Sequence, residues 1–119
     1  MTSVIYKICP KSLWDEAETA GEFAGAGIDL ADGYIHFSTA EQTPETARLY
    51  FSNTPDLVIV AVDARPLGEA LKWEESRGGQ LFPHLYGVLP TSAALWVKSL
   101  PMDHDGAPRV PSLDADTGS

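Results

Sequence analysis

LVIVAV, Leu57 to Val62, is apolar at every position. A strand with one wet face alternates apolar and polar residues, whereas an unbroken run marks a strand covered on both sides. The run is therefore read as the centre of a sheet, closed by Asp63. Val4 to Ile8 can flank it, because β-branched Val4 and Ile5 with Tyr6 favour extended chain until Cys9-Pro10 stops it. Ala94 to Leu100, Leu71 to Glu74 and Leu81 to Tyr86 are further extended candidates, and Pro66 to Ala70 and Gly78-Gly79 read as turns.

Two helices stand out. Ser12 can cap one that carries Leu13, Trp14 and Ala17 on one face and ends at Gly21. Thr43-Pro44-Glu45 has the order of an N-cap, a first-turn proline and a first-turn acid, and predicts a helix from Pro44 to Ser52. Phe23 to Ala31, rich in Gly and Ala, reads as an irregular loop, either plain surface or a cover over a pocket. No repeat and no regular βαβ alternation is visible. The expected class is α+β: one domain over residues 1–100, with a split, mostly antiparallel sheet and two main helices. Residues 101–119 are acidic, poor in apolar groups and expected to be a disordered tail.

Charge narrows the function classes. The 119 residues carry 8 Lys+Arg against 17 Asp+Glu, a formal charge of −9. Such a balance argues against gripping nucleic acid or an anionic membrane, while a small molecule in a local pocket remains a suitable partner. The single cysteine, Cys9, cannot close an internal disulfide, and no apolar run approaches the length of a membrane span. A cytoplasmic protein is expected.

Chemistry concentrates in three stretches: IYKICP, DGYIHFSTAEQ and KWEESRGGQLFPHLYG. On a strand through the second, Tyr34, His36 and Ser38 share one face. In the third, a diglycine separates Glu74 from His84, so paired strands would bring carboxylate and imidazole together, an arrangement that suits general acid–base work. Of Glu74 and Glu75 only one can face a cleft, and Glu74 is taken. His36, His84 and Glu74 are thus the catalytic candidates, with Lys7, Ser38, Thr39, Arg77 and Tyr86 as ligand-binding candidates. A strand histidine taken alone is more often a satisfied, partly buried residue than a catalyst; the two together, each flanked by a hydroxyl or phenol, weigh evenly between the two readings. No metal motif is recognisable, and no metal is assigned. Trp14, Trp73 and Trp96 are read as core or pocket wall, and Cys9 as a poor nucleophile candidate.

In order along the chain, IYKI, Trp14, DGYIHFSTAEQ, TARLYF, DLVIVAVD, LKWEESRGG and FPHLYGVLP closely resemble the bacterial domain-of-unknown-function family 952, over residues 4–100. The resemblance implies a fold similar to the ADP-ribosyltransferase catalytic domain, with a cleft for NAD or a related nucleotide between two halves of a split sheet. On that resemblance Lys7 falls near the transferases' first-strand His, His36 near their nicotinamide-stacking Tyr, and His84 near their catalytic Glu. An imidazole brings no fixed negative charge there, which Glu74 would have to supply. The expected function is a transferase or hydrolase acting on a nucleotide-like or other small anionic ligand. The alternatives are a non-catalytic small-molecule sensor and a structural protein with core histidines.

Overall fold

The structure, a computed structural model, describes residues 3–113 and leaves the side chain of Arg77 outside the described set. The central run forms β4 (Leu57–Asp63), paired antiparallel on one side with β1 (Val4–Pro10) and on the other with β8 (Ala94–Leu100). β4 is buried on both faces, and its residues alternate between two cores. Val58, Val60 and Val62 pack with Trp14 and Ala17 of helix α1 (Lys11–Ala20), and Leu57, Ile59 and Ala61 pack with Ala47 of helix α3 (Thr43–Tyr50). One helix covers each face, which is why no position of LVIVAV tolerates water.

A second antiparallel sheet has β6 (Leu81–Leu85) between β3 (Ile35–His36) and β5 (Leu71–Glu75). β2 (Glu22–Phe23) and β7 (Leu89–Pro90) form a small pair of their own. The chain passes from the second sheet to the first within two residues. Phe37 N–H still donates to the Pro83 carbonyl of β6 (3.0 Å), while Ser38 exchanges both backbone hydrogen bonds with Tyr6 of β1 (2.8 and 2.9 Å). The result is an α+β fold of mostly antiparallel sheets, split at this crossing.

Several local expectations are corrected. The anticipated Tyr34–Ser38 strand shortens to two residues because of that crossing. The expected loop contains β2 and a five-residue helix, α2 (Ile28–Asp32), bounded by Gly27 and Gly33 at positive φ. Ser12 does not cap α1: the Lys11 amide donates to the Asp56 carbonyl, so the helix starts directly off β1 and Ser12 lies inside it. Thr43 likewise lies within α3, its hydroxyl donating to the Thr39 carbonyl at 2.7 Å.

The expected tail divides. Residues 101–113 fold back: Met102 bridges Pro108, Asp103 pairs with Arg109 at 2.6 Å, and Val110 and Leu113 pack on the second core. Two well-placed apolar groups outweigh the polar composition of that segment. Residues 114–119 lie outside the described residues. Among the described residues, no helix is long and apolar enough to cross a membrane.

Candidate functional site

Lys7 lies in β1 on the face shared by Ile5 and Cys9, both fully buried, and is itself 6% exposed. An ammonium in such a place must be paired. Its partner is Asp29 of α2, with Nζ 2.7 Å from Oδ2, and Nζ also donates to the His36 carbonyl at 3.0 Å. Asp29 takes three further donors: the Ala26 amide (3.0 Å), the His36 amide (3.1 Å) and the His36 ring, whose Nδ1 is 2.6 Å from Oδ1. A carboxylate with four donors from β1, the α2 approach and β3 is an organising centre.

Burial alone would raise the Asp29 carboxyl. The His36 hydrogen bond, the charge and hydrogen bond of Lys7 and the Ala26 amide outweigh it and hold the group at about 2, against an ordinary 3.8. That displacement is worth roughly 2 kcal/mol of stability. Because the folded-state value is the lower one, the stabilisation is complete above about pH 4 and is lost as pH falls through about 2. Denaturant midpoints should therefore fall with acid more steeply in the wild type than in Asp29→Asn; a constant difference between the two down to low pH would contradict the assignment.

The second imidazole belongs to β6. Lys72 and Glu74 of β5 register with His84 and Phe82, so Glu74 and His84 meet diagonally on one face. His84 Nδ1 is 2.8 Å from Glu74 Oε1, which also accepts from the Tyr86 hydroxyl at 2.8 Å. These two hydrogen bonds hold the Glu74 carboxyl below its ordinary value, and the same contact, with burial, pushes the Tyr86 phenol up to about 12. An ionised Glu74 only accepts, so Nδ1 of His84 carries a proton, and in the neutral ring Nε2 then presents a lone pair. Nε2 has no hydrogen-bond partner among the described residues.

The two histidines register directly across β3 and β6, with ring centroids 5.2 Å apart. Tyr34 stacks on His84 at 4.3 Å and lies 4.6 Å from His36 and 5.0 Å from Tyr86. Both imidazoles, Tyr34 and Lys7 line one cavity of about 580 Å³ at the crossing between the sheets. His36 differs from His84 in having a carboxylate at each nitrogen, the second being Asp32 Oδ2, 3.1 Å from Nε2. Its ring is therefore held at both ends, whereas that of His84 is open at one.

The expected site residues are distributed as follows. Lys7, His36, Ser38 and His84 line the cavity, with the Ser38 hydroxyl donating to Thr46 at 3.1 Å. Glu74 and Tyr86 do not line it; they stand behind His84 because the diagonal contact places Glu74 at its far nitrogen. Thr39 also lies off the cavity, since its hydroxyl accepts from the Gln42 amide and closes the turn before α3. Arg77's side chain is outside the described set. Burial pushes the Cys9 thiol up to about 11, Lys7 opposing and Asp29 adding, so it is a poor nucleophile near neutrality. The sequence reading missed Asp29 and Asp32. The signal was available in IYKIC, where a lysine on a strand's buried face demands a carboxylate elsewhere in the chain.

Among known proteins, residues 8–97 match the family described as "Protein of unknown function (DUF952)". A crystal structure of protein CC0527 from Caulobacter crescentus, a structural genomics target, is similar at a TM-score of 0.87 and 50% identity, covering 89% of this chain and 93% of that one. A double mutant of the same protein gives 0.86 and 49% with the same coverage. Its solution NMR structure gives 0.81 and 49%, covering 91% of this chain and 93% of that one. No curated protein matches this chain.

Proposed function

The chain belongs to the DUF952 family, and from that premise we propose that it is a small-molecule transferase or hydrolase in which His84 is the general acid–base. The observation that carries this reading is Nε2 of a 3%-exposed imidazole at a cavity wall, without a partner among the described residues, its other nitrogen fixed by Glu74. Nε2 takes the proton of an attacking water or hydroxyl and returns it to the leaving group. Glu74 holds the tautomer, so it is a positioning residue. His36, engaged at both nitrogens, with Asp29 and Lys7, forms the fixed wall against which a ligand seats. Ser38, whose hydroxyl donates to Thr46, and Tyr34 also line the cavity.

The substrate class proposed is a nucleotide-like molecule, NAD or a relative. It is supported by a cleft between two antiparallel sheets, the plan that an ADP-ribosyltransferase-like fold would have. Binding without turnover is the second reading, favoured because Glu74, the carboxylate paired with His84, lies behind it and does not line the cavity.

The test is product analysis of the full chain incubated with NAD and related nucleotides, alongside thermal-shift measurements. Turnover that falls about a hundredfold or more in His84→Ala supports acid–base work by this residue. A ligand-induced shift without turnover establishes the sensor, and neither signal across the panel removes the nucleotide reading.

A further inference from the structure

We infer that the cavity selects a ligand with a cationic, apolar head group over an anionic one, an inference that rests on the ligand-binding reading above. The charged side chains among the described residues that line it are one lysine and two carboxylates, Lys7 against Asp29 and Asp32. Lys7 is already committed, to Asp29 at 2.7 Å and to the His36 carbonyl at 3.0 Å. A phosphate or carboxylate entering the cavity would shed its water and find no uncommitted ammonium among the described residues that line it, so a nucleotide would keep its phosphates outside, in a chain whose formal charge is −9.

A cation meets the opposite circumstances. Asp32 is partly exposed at the cavity wall and has the His36 ring, 3.1 Å away, as its neighbour. Tyr34 and His84 offer stacked aromatic surface beside it, and Tyr6, Phe37 and Phe82 extend the aromatic wall. Ring faces carry the negative end of the aromatic quadrupole, so they attract a cation whose own body is apolar, and the attraction grows as water is excluded. Nε2 of His84, without a partner among the described residues, and the Tyr34 hydroxyl remain to orient the neutral remainder of the molecule. Aromatic faces, a nearby carboxylate and few oriented polar groups are how ammonium-type and heteroaromatic cations are held.

The experiment uses three probes of nearly one size: benzylammonium, benzyl alcohol and benzoate. Each is titrated into the isotope-labelled full chain while the signals of Tyr34, His36 and His84 are followed by NMR. The expected result is that the ammonium binds about tenfold or more tightly than benzoate, a difference of about 1.4 kcal/mol. Asp32→Asn should weaken the ammonium several-fold and leave benzyl alcohol unchanged. Benzoate binding as tightly as the ammonium, or an ammonium indifferent to Asp32→Asn, overturns the charge preference and leaves the binding cleft standing. Failure of all three to move the cavity signals overturns both.

Discussion

Asp29→Ala is expected to destabilise the protein by about 3–5 kcal/mol, the range for removing one member of a buried ion pair. The carboxylate's side chain is 1% exposed and takes donors from Lys7, Ala26 and His36, so its loss strands an ammonium, two amides and an imidazole N–H at once. Exposure to cavity water softens the penalty, since Lys7, Ala26 and His36 all line the cleft. The paired change Lys7→Met with Asp29→Leu should recover part of the loss, because it removes the stranded charge along with its partner. Chemical denaturation of the single and double variants measures both quantities. A single-variant cost under about 1 kcal/mol, the level of an exposed pair, would show that the pair is solvated.

Trp14→Ala should cost about as much, roughly 3–5 kcal/mol, for a different reason. Trp14 is fully buried on α1, packs against Phe23 of β2 with centroids 5.6 Å apart, and joins the core formed by Val58, Val60 and Val62. Alanine there leaves a cavity beneath the sheet. Its indole Nε1 is the one buried side-chain polar atom without a hydrogen-bond partner among the described residues. Trp14→Phe removes that unsatisfied donor, whose burial costs about 1–3 kcal/mol, along with some volume. The phenylalanine variant should therefore lose much less than the alanine variant. Equal losses in the two would show that the N–H is satisfied in solution.

How far the sequence reaches can be judged from these same residues. LVIVAV announced a doubly covered strand because a run without polar residues has no other stable place in a small domain. Ala94 to Leu100 and the Glu74–His84 approach were legible for a similar reason: strand period and a diglycine turn are local facts with one geometric outcome. Asp29 was not legible in this way. It sits among Gly25, Gly27 and Gly33, and a glycine-rich stretch says that the backbone bends without saying what it bends around. Gly25 shows what was hidden, since a Cβ at that position would stand 2.9 Å from the Asp29 Cβ. The bend exists to let the backbone pass close over a side chain. Val110 and Leu113 were hidden by averaging, as two apolar residues in an acidic stretch vanish in composition but not in packing.

The four donors on Asp29 also have a kinetic side. Those from Ala26 and His36 lie within seven residues of Asp29, whereas Lys7 comes from β1, a distant segment of the chain. Until the two segments meet, an ammonium and a carboxylate face an apolar surface unpaired, a state more costly than either the open chain or the finished wall. The wall is complete only once β1 and the segment carrying Asp29 have come together.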